Sequence, residues 1–236
     1  MAVDTFPVSL PLSLNGQLIS VDAFDPVRVQ AAGSTGGVRD FTIDRGQPRW
    51  LAKFKTRPLT APELGAMEAF KAKLRGRARY CLIYDPRHAY PAAYMPAGWG
   101  TLTRAGGGSF DGTCHVASIA NSGLDGVGRD VVTLGASGGF LPVGLSLIAG
   151  DHVSFSQSGL VSLHRILDTA AQVANGSGVV TVWVEPELPA SLTTSAVADL
   201  QQAQGKFAIT KLELPADAKG RFRPGSASFE AISTYN

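Results

Sequence analysis

The chain is short of ionised side chains. Asp, Glu, Lys and Arg make up 17% of its 236 residues, against roughly 25% in an ordinary soluble domain. A surface so poor in charge is weakly defended against association, which favours a subunit that covers itself with neighbours. No excess of one sign exists either: 21 Lys and Arg face 19 Asp and Glu, so there is no strong field to capture nucleic acid or an anionic membrane. The basic run Lys71, Lys73, Arg75, Arg77 and Arg79 falls at a predicted helix C-terminus, where cations suit the helix dipole. Cysteine is nearly absent, with Cys81 and Cys114 outside any metal or redox spacing. Cys81 lies in an apolar run and reads as a small buried hydrophobe. Folding in a reducing compartment is expected, with a single bridge as the alternative. Long apolar runs are missing. The longest, near Phe140 to Ala149, is glycine-broken and too short to cross a bilayer. The N-terminus lacks a basic stretch followed by a long apolar core, so no secretory signal is expected and synthesis and folding are placed in the cytoplasm.

Turn formers are abundant: 27 glycines and 14 prolines are spread over the whole length. Short apolar runs between such breakers predict many strands. These are Gln17 to Asp22, Val27 to Gln30, Arg49 to Thr56, Arg77 to Tyr84, Cys114 to Ala120 and Val131 to Leu134. They continue with His152 to Ser156, Leu160 to Arg165, Val179 to Glu185, Phe207 to Leu214 and Ser226 to Ile232. Trp50, Ala52 and Phe54 alternate with Leu51, Lys53 and Lys55, the pattern of a strand with one buried side. One helix is well signalled over 61–75. Thr60 to Glu63 forms a capping box with Pro62 in the first turn. Leu64, Met67, Phe70 and Leu74 make an apolar stripe, and Gly76 is placed to end it. A weaker helix is expected over Ser195 to Gln204. The expected fold is mainly β, of sandwich or barrel type, with the capped helix packed on an N-terminal sheet. Residues 1–100 would form an N-terminal β domain completed by strands in 179–236, and 101–178 a β-rich second domain or insertion.

Chemistry is hard to find. His88, His115, His152 and His164 show no HxH or HExxH spacing. His152 and His164 could meet across a hairpin, yet a zinc site would need two more ligands, and Asp151 and Asp168 are only loosely placed to help. No G-x-S-x-G turn offers a nucleophile, and Gly106 to Ser109 lacks the Lys and strand-to-helix setting of a phosphate loop. Asp22, Asp25, Asp40 and Asp44 are dispersed over a turn-rich segment. No catalytic residue, metal or cofactor is assigned. Two aromatic groupings remain. Trp99, between glycines and downstream of Tyr90 and Tyr94, is a candidate sugar or partner contact, or else plugs a loop onto its own sheet. Val182, Trp183 and Val184 lie in a strand apolar on both faces, placed centrally in a sheet or at a subunit interface.

The order of several phrases carries a family likeness. Arg49-Trp50-Leu51-Ala52-Lys53-Phe54 leads to Pro58-Leu59, the helix from Glu63 to Leu74, Arg75-Gly76-Arg77, Tyr80 and Tyr84-Asp85-Pro86. Later come Leu147-Ile148-Ala149-Gly150-Asp151-His152-Val153-Ser154-Phe155, Val182-Trp183-Val184-Glu185-Pro186 and Ser228-Phe229-Glu230-Ala231-Ile232. This order resembles the distal-tail and related minor tail proteins of siphophages, although 98–139 matches nothing in that pattern. The resemblance implies a non-enzymatic virion protein at the tail tip, made in the host cytoplasm. It would form a ring of copies, usually six, between the tail-tube protein and the hub and receptor-binding parts. DNA would pass through the lumen without sequence-specific binding, and no membrane insertion is implied. The alternatives are a carbohydrate-binding β-sandwich, an enzyme acting on cell-wall polymers, and another tail-tip component such as a hub or completion protein.

Overall fold

Strands that alternate buried and exposed residues generate two curved sheets in this protein, one open and one closed. The computed structural model describes residues 8–9, 19–28, 30–35, 39–44, 47–75, 78–121, 129–136, 138–215 and 225–234. The fold is mainly β, with a barrel and a half-barrel. Its first part contains β1 (Val8–Ser9), β2 (Ile19–Val27), β3 (Gln30–Thr35), β4 (Arg39–Asp44), β5 (Arg49–Pro58), α1 (Ala61–Leu74) and β6 (Cys81–Tyr84). Two short 3-10 helices follow, Pro86–His88 and Ala92–Tyr94. Then come β7 (Thr113–Ala120), β8 (Val131–Leu134), β9 (Ser146–Leu147), β10 (His152–Gln157), β11 (Leu160–Ile166) and β12 (Gln172–Val173). The chain closes with β13 (Val180–Glu185), β14 (Val197–Asp199), β15 (Gln204–Glu213) and β16 (Ser226–Ser233).

The half-barrel has the order β1-β6-β15-β16-β5-β2. Period two is clean in it. Trp50, Ala52, Phe54 and Thr56 of β5 are buried, and so are Ala227, Phe229, Ala231 and Ser233 of β16. Met67, Phe70 and Leu74 bring α1 into the same core, where Phe54 stacks on Phe229 at 4.9 Å. Each large side chain so buried contributes about 1.5–3 kcal/mol. At the start of α1, the Glu63 carboxylate accepts the Thr60 N–H and the Thr60 hydroxyl, each at 2.8 Å, and pairs with Arg57. Leu59 and Leu64, flanking the cap, join the core as a hydrophobic staple. The helix ends on Arg75 in the left-handed conformation (φ 48°, ψ 49°), one residue before the expected Gly76, which lies outside the described residues.

The second unit is a closed barrel of order β10-β11-β13-β8-β7-β14, inserted between β6 and β15. Strand β13 pairs with β8 and β11. It therefore belongs to the barrel, and the C-terminal completion of the first sheet begins at Gln204, not at 179. An alternating strand such as Val180–Glu185 suits either sheet, and only pairing decides between them. The helix expected over Ser195 to Gln204 is absent. Val197–Asp199 instead pairs with β10 on one side and β7 on the other. Closing the barrel requires those two edges to be bonded, and this outweighs a weak helical propensity. A bulge between Val116 and Ser118 bends β7 around the closure.

The hairpin β10–β11 is shared by the two units. Val153 and Phe155 point into the barrel core, whereas Leu163 on the opposite face belongs to the half-barrel core. Trp50, fully buried, donates its indole N–H to the Leu163 carbonyl at 2.7 Å. Gly205 fits beneath this contact, since a Cβ there would stand 2.7 Å from the Phe207 ring and 3.0 Å from Leu163. Trp50→Phe should keep most of the packing but strand that carbonyl. A destabilisation of about 1–3 kcal/mol is expected in urea unfolding. An unchanged midpoint would mean that the bond does not hold the units together.

Candidate functional site

Of the two readings of Trp99, a sugar or partner contact and a plug that holds its loop to its own sheet, the structure bears out the second. Trp99 is only 8% exposed. Tyr90 and Phe110 meet it edge-on at 5.5 and 4.8 Å, and Tyr94 lies tilted at 5.1 Å. Its indole N–H donates to Gln201 Oε1, whose amide donates in turn to the Tyr90 hydroxyl. The Tyr94 hydroxyl accepts the Ser146 N–H at 3.0 Å. With neighbours around its ring and its N–H satisfied, Trp99 plugs its loop onto the barrel and is not a stacking platform.

The strand expected centrally in a sheet or at an interface is central, between β11 and β8 of the barrel, and its side chains divide between two faces. Val182 and Val184 are each 1% exposed within the barrel core and present nothing to another subunit. Trp183 points outward and is half-buried. Its indole N–H donates to Asp130 Oδ2 and its backbone N–H to Asp168 Oδ2, both at 2.8 Å. Of the three residues, only Trp183 remains on the surface.

The two strand histidines do not converge. Register pairs His152 with Arg165 and Val153 with His164, which sends the two imidazoles to opposite faces. His164 is sealed inside the barrel between the Pro186 carbonyl (2.6 Å) and the Ser162 hydroxyl (2.9 Å), and burial pulls its pKa down to about 4. His152 faces the half-barrel against Trp50 (5.1 Å between centroids) and His88 (4.4 Å). Burial, then neighbouring His88, holds its pKa down to about 3 against an opposing pull from Asp85. Asp151 accepts the Ala92 and Ile148 N–H groups at 2.7 and 2.8 Å, a backbone-fastening role. Both cysteines are buried free thiols, and burial pushes Cys81 and Cys114 up to about 12. Among the described residues, no three His, Cys, Asp or Glu side chains are grouped to hold a metal ion.

Among the described residues, two strand edges are left open. β2 is the outer strand of the half-barrel, nine residues long, and among the described residues it pairs with β5 alone. At the other edge, two residues of β1 lie parallel on β6. The hairpin β3–β4, in register from Gln30↔Asp44 to Thr35↔Arg39, is a two-stranded sheet of its own, joined among the described residues by strand pairing to neither larger sheet. Such a ribbon is marginally stable by itself. No family model and no curated protein matches this sequence. The surface is therefore read from its own chemistry, and among the described residues it offers strand edges open to further pairing.

An ionic clasp sets the edge relative to the barrel. Glu185 of β13 accepts from Arg28 at 2.7 and 3.0 Å and from Arg165 at 3.5 Å, and Arg165 also reaches Asp25 of β2 at 3.3 Å. Arg28 and Glu185 are 157 positions apart, a separation at which sequence reading has no local signal. The ribbon was missed for another reason. Its strand Arg39–Asp44 (RDFTID) has a single two-residue alternation, too short to stand out beside charged and turn-forming neighbours.

Proposed function

We propose that this chain is a structural subunit of a bacteriophage tail tip. In this reading it assembles into a closed ring that joins the tail-tube protein to the hub and receptor-binding parts, and DNA passes through the lumen without base-specific contacts. One observation carries the reading: among the described residues, a closed barrel is attached to a half-barrel whose long edge strand is paired on one side alone and whose adjoining ribbon joins neither larger sheet. Identical copies meeting head-to-tail through such an edge form a heterologous contact, which closes into a ring when the rotation is right. Shortage of charge and the order of phrases shared with siphophage distal-tail proteins support the same role. The edge also carries its own control against indiscriminate pairing. β2 has a bulge between Val21 and Ala23, together with Asp22, Asp25 and Pro26, so only a matching strand fits it. The sugar-module alternative loses its support, because Trp99 is covered.

The test is mass in solution. The wild-type chain, alone or with tail-tube and hub proteins, should give particles several times the 24.7 kDa protomer, seen as rings by negative stain. Replacing residues 30–44 with a short Gly-Ser linker should leave a folded barrel that no longer assembles. A wild type that stays at 24.7 kDa and binds neither partner would sink the proposal, as would undiminished rings from the ribbonless variant.

A further inference from the structure

Between the half-barrel and the barrel lies a cleft of about 290 Å³. Into it β2 brings Asp25, the first 3-10 helix brings Arg87 and His88, and the hairpin β10–β11 brings His152 and Arg165. Two guanidiniums thus line one space with a single carboxylate. The other acids that fix them lie outside the lining. Asp85, fully buried, takes Arg87 through Nε and Nη2 at 2.7–3.1 Å. Glu185 takes Arg165 at 3.5 Å and lines a separate, smaller cleft. Both guanidiniums are held in place without a ligand, the condition for planar oxyanion recognition at little ordering cost. His152 adds an independent sign. It is only 6% exposed, yet its buried Nδ1 has no hydrogen-bond partner among the described residues, which is uncommon in a folded interior.

We propose that this cleft binds the oxyanion group of a small molecule, a phosphate or a carboxylate. Arg165 and Arg87 supply the charge, and the imidazoles of His88 and His152, tilted against each other at 4.4 Å, supply a polar wall. Asp25 is the competitor. Its carboxylate is well exposed and reaches Arg165 Nη1 only at 3.3 Å, so an incoming oxyanion takes its place. The site lies within one chain, so it stands or fails independently of ring assembly.

The experiment follows the imidazole resonances of His88 and His152 while inorganic phosphate, and separately glucuronate, is titrated into the full-length protein. Saturable shifts at both histidines are expected with at least one probe, and the stronger probe identifies the ligand as phosphate-bearing or carboxylate-bearing. Arg165→Gln should weaken binding about tenfold. Asp25→Asn, an exposed change that leaves the core untouched, should tighten it several-fold by removing the competitor, and Arg75→Gln at the helix end should leave it unchanged. Should Arg165→Gln fail to fold, Asp25→Asn decides alone. Absence of a saturable shift in the wild type, or binding that Asp25→Asn leaves equal or weaker, overturns the proposal.

Discussion

Lowering the pH from 7 to about 4.5 should cost the native protein several kcal/mol of stability, and His152 and His164 are the reason. Both imidazoles are buried, and their pKa values are held down to about 3 and about 4, against roughly 6.5 in an unfolded chain. The unfolded state therefore binds protons that the native state refuses. Stability is complete above the unfolded value and declines as pH falls toward the native ones. Each histidine contributes a slope of about 1.4 kcal/mol per pH unit through that window. Asp151 and Asp199 act in the opposite sense. Burial raises both carboxyls, so the native state takes up their protons first and offsets part of the loss. Urea unfolding followed by tryptophan fluorescence at a series of pH values measures the slope. His164→Asn should roughly halve it while lowering stability at neutral pH, because the bonds to Pro186 and Ser162 are altered. A midpoint that stays constant between pH 6.5 and 4.5 would show that these imidazoles are not buried neutral in solution.

The second large effect belongs to two glycines of the barrel. Gly135 has φ 102° and Gly178 φ 69°, conformations that strain an L side chain by about 1–3 kcal/mol. Space is the graver problem. A Cβ on Gly135 would lie 2.1 Å from the Gly178 carbonyl oxygen, and a Cβ on Gly178 would lie 2.3 Å from the Leu141 carbonyl oxygen. The Gly178 carbonyl already accepts the Leu141 N–H at 2.9 Å, and the Gly135 N–H donates to His115 at 2.8 Å. Neither backbone can yield without breaking a buried bond. Gly135→Ala and Gly178→Ala should each cost about 3–5 kcal/mol, combining strain with overpacking, a large share of an ordinary domain's stability. Gly144→Ala is the control. Its φ of 78° is equally left-handed, but nothing lies within 4 Å of its would-be Cβ, so about 1–2 kcal/mol is expected. Equal losses at the three positions would assign the whole effect to backbone strain and none to the close approach.

Local pattern carried the individual elements well. The period-two runs at Arg49–Pro58, Val131–Leu134, Leu160–Ile166 and Ser226–Ser233 are strands, because alternation is a property of a few neighbouring residues. The cap of α1 is equally local, a contact between residues three apart. The same reasoning left alternatives open where one pattern fits several surroundings. Tryptophan between glycines looks the same in sequence whether its face is open or covered. For Trp99 the covering partners Phe110 and Gln201 come from elsewhere, the latter 102 positions away. Val182, Trp183 and Val184 read as central in a sheet or at an interface because both faces of their strand are apolar; the strand is central, its inward face fills the barrel and its outward one carries Trp183 beside Asp130.

Sequence by itself determined that this is a mainly β protein with one capped helix, few charges and no local catalytic signature, since composition, alternation and capping act over short stretches of chain. Tertiary structure alone decided that strands 180–185 and 197–199 close a barrel while 204–213 and 226–233 return to an open half-barrel. It alone brought Asp25, Arg87, His88, His152 and Arg165 around one cleft. The physical reason is that pairing partners and charge neighbours are chosen by which backbone edges and side chains the folded chain brings together, a choice made across more than a hundred residues.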